Sequence, residues 1–399
     1  MKTLINVKVN KKAAVKLRAG YPLLEKEAVE NVKVLKKEGD ILRILDDKKN
    51  YIGTAYYGVQ NKGIGWIITH EPEEYIDTPF FVRKIEAALQ HRKELMKNPD
   101  TNAFRVFNGE GDGIGGLIID YYDGFYVIHW YSEGIYSFRK EILAAMREKL
   151  QFKGIYEKKR FDQKGQYIED DDFVEGERGE FPMMIKENGV NFCVDLNDGA
   201  MTGIFLDQRE VRNAIRTRYA EGAKMLNMFS YTGAFSVCAA LGGAEKTTSV
   251  DVANRSRSKT VQQFEANDID ASEQEIVVDD VFQYFKYAAR KNRTFDLVVV
   301  DPPSFAKTKK RTFSAAKDYP KLLEETIQLT KHNGIIVVST NSSAVDVKTF
   351  KKFIKTACKE QGVSYEILEQ YGLPEDFRTI ETFPEGHYLK VMFVKIKKK

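Results

Sequence analysis

The stretch from Lys224 to Asp251, KMLNMFSYTGAFSVCAALGGAEKTTSVD, limits the possible folds more than any other part of the chain. An apolar run, Met225 to Met228, leads into a turn through Tyr231-Thr232-Gly233 and then a helical segment to Leu241. Gly242-Gly243 stop that helix, and a second strand, Lys246 to Val250, ends on Asp251. A strand, a glycine turn, a helix and a strand closing on a carboxylate make half of a nucleotide-binding α/β sheet. Asp251 lies 18 residues past Gly233, near the spacing that sets a carboxylate on a ribose hydroxyl.

The glycine count narrows the ligand. A dinucleotide site needs several glycines so that backbone can approach a pyrophosphate. Gly233 stands alone among Phe229, Tyr231 and Phe235. One close approach suits a nucleoside without phosphate, and S-adenosylmethionine is such a ligand. The plainer reading is a doubly wound sheet in which the glycine only makes a turn.

At 399 residues the chain is long enough for two or three domains. No apolar run approaches the ~20 residues of a membrane helix, and the N-terminus lacks the apolar core of a signal peptide. Cys193, Cys238 and Cys358 are an odd, widely spaced set without a C-x-x-C pair. They predict neither a disulfide framework nor a metal site and fit a reducing, cytoplasmic setting. Net charge is 62 − 58 = +4, too small to prove a nucleic-acid partner. Its distribution says more: residues 1–50 hold 13 Lys/Arg against 7 Asp/Glu, and Lys307, Lys309, Lys310 and Arg311 follow the DPPSF segment. Basic clusters gather phosphate backbones, although a lysine run is also an ordinary solvated face.

In chain order, residues 1–75 alternate short strands with glycine turns and predict a small β-barrel-like module. Its expected strands include Leu4–Val7, Val32–Leu35, Ile41–Leu45 and Tyr51–Tyr56. That module is either structural or an RNA-docking barrel using Tyr21, Tyr56 and Tyr57. Residues 76–183 predict a small α+β middle domain and an acidic surface linker or hairpin around Glu169–Glu180. The glycine-rich Phe107–Gly116 lacks the Lys-Ser/Thr of a phosphate loop and enters a strand. Residues 184–399 continue the α/β alternation, predicting a doubly wound, Rossmann-like sheet of seven strands with ligands at its carboxyl ends.

Several residues carry candidate chemistry. Asp251 is placed to hold a ribose, and Asp280, after the third strand, could accept from an adenine amine; either could instead cap a helix. Asp301-Pro302-Pro303-Ser304-Phe305 leaves a buried strand, Val298–Val300, through two stiffening prolines. The Asp301 carboxylate and Pro302 carbonyl offer two acceptors for a base N–H, and Phe305 offers a ring to stack on it. Such a frame accelerates methyl transfer chiefly by positioning; the plainer reading is a rigid turn.

With these residues in view, the sequence resembles the ribosomal RNA methyltransferases built from an N-terminal PUA domain, a small middle domain and a class I S-adenosylmethionine-dependent domain. The type members are bacterial 23S rRNA cytosine-5 methyltransferases. The segments carrying the resemblance are Asn108–Gly113, Thr202–Arg209, Leu226–Phe235 and Asp301-Pro302-Pro303. It implies cofactor contacts from Asp207, Gln208 and Arg209, from the loop Phe229, Ser230, Tyr231, Thr232 and Gly233, and from Asp251, Asp280 and Asp301. It also implies an RNA partner, large-subunit rRNA or an assembly intermediate, and is compatible with a homodimer. One position departs from the family: where it has T-F-S-C-S, this chain reads Ser339-Thr340-Asn341-Ser342-Ser343. Cytosine-5 chemistry needs a thiolate that adds to the ring, and Ser342 is far harder to ionise. Methylation of a base nitrogen, with Asn341 beside the Asp301 corner, is therefore the leading expectation. Cytosine-5 methylation, a catalytically silent RNA-binding chaperone and a small-molecule methyltransferase or NAD enzyme are the alternatives.

Overall fold

The computed structural model describes residues 2–60, 63–161, 171–307 and 312–398. The chain divides into two compact units. One comprises Met1–Ile185, Asp195–Thr202 and Glu375–Gly386; the other comprises Lys186–Val194, Gly203–Pro374 and His387–Lys399.

In the first unit a five-stranded sheet runs in the order Leu4–Lys8, Ile41–Leu45, Tyr51–Gln60, Gly63–Thr69, Leu23–Glu25. A bridge between Val9 and Val29 joins the continuations of the two edge strands and curls the sheet toward a barrel. Val32–Val34, expected as a strand, forms a 3-10 turn, and Lys11–Arg18 forms a helix that its four basic residues disguise as loop. Asn10 starts that helix, its side chain accepting from Ala13 N at 2.9 Å. The tyrosines proposed as an RNA-facing surface are mostly inside. Tyr21 and Tyr56 are buried, the Tyr56 hydroxyl donating to Gly115 O at 2.6 Å, and Tyr57 is half-buried.

A second sheet in this unit orders Phe173–Gly176, Gly154–Lys159, Phe125–Trp130, Leu117–Tyr122 and Ala103–Asn108. Helices Thr78–His91 and Arg139–Lys149 pack on each other, and one apolar core from Val7 through Trp66, Phe81 and Phe107 to Ile155 unites both sheets. The acidic run is less superficial than its composition suggests. Asp172 is buried as the ion-pair partner of the fully buried Lys158, whose ammonium also donates to Gly199 O at 2.6 Å.

The glycine-rich segment serves as a cradle for late chain. A Cβ on Gly111 would lie 1.8 Å from Arg378 O, so only glycine admits that backbone. Around it, Arg92 forks onto both oxygens of Asp112 at 2.7 Å and donates to Asp376 O at 2.6 Å, while Asn108 Nδ2 donates to Arg378 O at 2.8 Å.

The second unit holds the expected seven-stranded sheet. Its strands are β1 (Lys224–Met228), β2 (Lys246–Asp251), β3 (Glu275–Val278), β4 (Phe295–Val300), β5 (Thr330–Thr340), β6 (Ser364–Tyr371) and β7 (Lys390–Lys397). They are ordered β3-β2-β1-β4-β5-β7-β6, with β7 antiparallel to both neighbours. Helices α1 (Arg209–Ala214), α2 (Ala234–Leu241) and α3 (Ser256–Glu265) adjoin one another, as do α4 (Val281–Arg290), α5 (Ala315–Leu329) and α6 (Val347–Glu360). Alternate strand residues separate the two layers. Leu226, Met228, Val298 and Val300 pack with α4 to α6, whereas Met225, Leu297 and Val299 pack with α1 and α2. No helix among the described residues is long and apolar enough to cross a membrane.

Candidate active site

Parallel register sets the site. Met228 pairs with Val250 and Val300, and Asp251 with Val278, so the segments leaving β1, β2, β3 and β4 emerge side by side at one edge of the sheet. The sheet reverses between β1 and β4, and this is where α/β sheets bind ligands.

The loop after β1 is held in an unusual shape. Phe229, Tyr231 and Gly233 have φ of 60°, 51° and 79°, a left-handed conformation that costs non-glycine residues energy. Ser230 N donates to Val250 O at 3.0 Å, Tyr231 N to Asp251 Oδ2 at 2.9 Å, and Thr232 Oγ1 to Gly203 O at 2.7 Å. A Cβ on Gly233 would lie 2.5 Å from Thr260 Cγ2 on α3. The lone glycine is therefore required by backbone shape and close approach together, beyond making a turn.

Asp251 Oδ1 also accepts from Ala253 N at 2.9 Å. Each of its oxygens then keeps capacity for a further donor such as a ribose hydroxyl. Val252, which follows, is 60% exposed and offers an apolar surface beside that carboxylate. Asp280 caps α4, accepting from Phe282 N at 2.9 Å and Gln283 N at 3.3 Å. Phe229, Phe282 and Phe313 cluster beside it with ring centroids 5.9 to 6.4 Å apart.

Asp301 forms the centre of a polar node. Gln208 Nε2 donates to Asp301 Oδ2 at 3.2 Å and to Ser339 Oγ at 2.9 Å. Burial pushes the Asp301 carboxyl up to about 6; hydrogen bonds from Ser339 and Gln208 oppose this, and the nearby Asp207 charge reinforces it. Asp207 itself accepts from the Tyr388 hydroxyl at 2.9 Å. Arg209 is buried and donates to Glu210 at 3.2 Å. Beneath this turn, Arg212 forks onto Glu187 at 2.7 Å and holds Phe205 O at 2.8 Å, fixing the strand of chain that presents Asp207 and Gln208.

The double-proline corner and the loop after β5 meet, with Ser304 Oγ 2.5 Å from Asn341 Oδ1. Pro302 is buried, Phe305 is 62% exposed, and Asn341 is exposed. Ser342 is half-buried; its carbonyl accepts from Lys390 Nζ at 2.8 Å, and its hydroxyl has no partner among the described residues. Of the basic loop, Lys307 lies in the short strand Phe305–Lys307, and Lys309, Lys310 and Arg311 fall outside the described residues. No thiol is primed. Burial pushes Cys238 up to about 12 and Cys358 up to about 11, and it raises Cys193 as well.

These residues fit an adenosyl cofactor: Asp251 would offer acceptors and Val252 an apolar contact, while the buried Gln208 Oε1 has no hydrogen-bond partner among the described residues; the close approach at Gly233 is to Thr260 of the protein itself. Sequence reading missed Val252, Thr260, Ser339, Tyr388 and the Glu187–Arg212 pair. Only Val252 carried a local signal, an apolar residue directly after the strand-end acid.

Comparisons with known proteins bear on the family and the fold. Residues 160–390 match the family described as S-adenosylmethionine-dependent methyltransferase, and residues 7–70 match a PUA-like domain. The chain is 58% identical over 391 residues to the protein of Bacillus subtilis (strain 168) named "Putative ribosomal RNA large subunit methyltransferase YwbD"; the match covers 98% of this chain and 99% of YwbD. It is 32% identical to ribosomal RNA large subunit methyltransferase I of Yersinia pestis bv. Antiqua (strain Angola), covering 93% of this chain and 94% of that one. A crystal structure of SMU.776 complexed with SAH superimposes with a TM-score of 0.91 at 40% identity, covering 98% of this chain and all of that one.

Proposed function

The chain belongs to the S-adenosylmethionine-dependent methyltransferase family, and from that premise we propose that it methylates a nitrogen of a base in large-subunit ribosomal RNA. The names of YwbD and methyltransferase I support the RNA class, as does the PUA-like domain. The single observation that carries the choice of nitrogen is the lack of an available thiolate at the corner formed by the Asp301 carboxylate and the exposed Phe305.

S-adenosylmethionine supplies an electrophilic methyl carbon on a sulfonium. Asp251 and the Phe229–Gly233 loop hold the nucleoside part. Asp207, Gln208 and Arg209 contribute from the turn before α1, and Asp280 from the head of α4. At the target, Phe305 stacks on the base, and Asp301 and the Pro302 carbonyl accept its N–H groups. Asn341, held by Ser304, borders the same corner. Asp301 Oδ1, the oxygen not engaged by Gln208, can take up a proton released from nitrogen, because burial already lifts this carboxyl toward neutrality. A base inside a helix must leave its stack to reach this corner.

Cytosine-5 methylation, the chemistry implied by the family that the sequence resembles, is the second reading. It requires an adding nucleophile, and Ser342 is far harder to ionise than a thiol; the amine beside it, Lys390 Nζ, is engaged on its carbonyl. Mass spectrometry of rRNA nucleosides from cells with and without the gene decides between them. The expected result is loss of one nitrogen-methylated nucleoside, restored by wild type and not by Asp301→Ala; loss of 5-methylcytidine would reverse the assignment.

A further inference from the structure

Helix α6 starts five residues after Ser342, capped by Asp346, which accepts from Thr349 N at 2.7 Å. Its inner side buries Phe350, Ile354, Ala357 and Cys358. Its outer side carries Lys348, Lys351, Lys352, Lys355 and Lys359, all exposed. Spacings of three and four place these five on one helical face as mutual neighbours.

None of the five forms an ion pair among the described residues. Lysines elsewhere in this unit do pair, Lys321 with Glu324, Lys331 with Asp296 and Lys397 with Glu366. The helix's own acids, Asp346 and Glu360, lie beyond the two ends of the row. Like charges three and four apart destabilise a helix on their own, and a bound polyanion relieves that repulsion. A whole chain of net charge +4 thus concentrates five unpaired cations on one face that leads away from the substrate corner.

We propose that this face of α6 docks the phosphate backbone of the substrate RNA, guiding it from Asn341 along the helix. The proposal rests on the RNA reading given above. The row extends ~16 Å at the helical rise, about the length of five phosphates along one strand of a nucleic-acid helix.

The test uses the full-length protein and 23S rRNA purified from cells lacking the gene, with methyl transfer measured across a KCl titration. For Lys351→Gln/Lys352→Gln/Lys355→Gln, KM for RNA should rise about tenfold or more near physiological salt, with kcat and S-adenosylhomocysteine affinity unchanged. The slope of log affinity against log salt should flatten by roughly 2, since each phosphate contact on a single strand contributes about 0.7. The corresponding triple arginine variant should behave as wild type. A glutamine variant with wild-type KM and slope overturns the proposal and leaves an acidic protein as the alternative partner for the row. If the wild type transfers no methyl to this RNA, the substrate reading fails by itself. The same titration read by filter binding then still judges the lysine row, and equal slopes overturn it.

Discussion

Gln208 Nε2 bridges Asp301 Oδ2 and Ser339 Oγ, at 3.2 Å and 2.9 Å, and so ties the turn before α1 to the ends of β4 and β5. This node sets the pH response. The Asp301 carboxyl sits at about 6 in the folded chain, above its ordinary 3.8, so folding favours its protonated form. Its contribution to stability is full below the ordinary value and is lost as pH rises toward 6. Activity should run the opposite way, because only the carboxylate accepts from a base. We expect kcat/KM to climb through about pH 6 in wild type, and to be low and flat in Asp301→Asn. A wild-type profile without an inflection there removes Asp301 from proton handling.

Asp251→Ala releases Tyr231 N and Ala253 N, both of which it now accepts from. Cofactor affinity by calorimetry should fall about tenfold or more. Asp301→Ala should cut turnover with a smaller loss of affinity.

Gly233→Ala should cost cofactor affinity by two separate routes: a left-handed residue with a Cβ, worth about 1–2 kcal/mol, and the collision with Thr260 Cγ2. Adding Thr260→Ser removes that methyl and should restore part of the loss. Equal affinities for the single and double variants would locate the whole effect in the backbone.

Ser342→Ala should methylate at the wild-type rate, as should a variant with Cys193, Cys238 and Cys358 all replaced by alanine, provided each is shown to be folded. A large loss of kcat in Ser342→Ala would make its hydroxyl part of the chemistry.

Glu187→Gln leaves the buried Arg212 guanidinium without its anionic partner. Breaking such a pair costs about 3–5 kcal/mol, which urea unfolding would show. Loss of the grip on Phe205 O should also lower cofactor affinity.

What the sequence disclosed depended on how locally each feature is encoded. β1, the glycine turn, α2 and β2 are contiguous, and their apolar periods change at the glycines, so the strand-turn-helix-strand unit was legible from Lys224 to Asp251. The Asp301 corner was legible for the same reason. Asp207 and Gln208 carry no local pattern and entered only through family resemblance. Ser339 and Tyr388 were missed because their partners lie 131 and 181 residues away. Composition misled twice: the lysines of Lys11–Arg18 hid a helix, and the acids around Asp172 hid a buried ion pair. The sequence leaves Tyr21 and Tyr56 open as either structural or RNA-facing, because a tyrosine's hydroxyl does not reveal whether its partner is water or protein.

Arg92 completes its hydrogen bonds on the carbonyl of Asp376, 284 residues later. At synthesis rates of roughly 5–20 residues per second, the ribosome delivers that carbonyl on the order of 15–60 s after the guanidinium. Throughout that interval the nascent N-terminal half lacks the Glu375–Gly386 backbone that packs over Gly111 in the finished unit. Completing the first unit therefore takes chain translated after most of the second, so truncation before Glu375 removes contacts from both units.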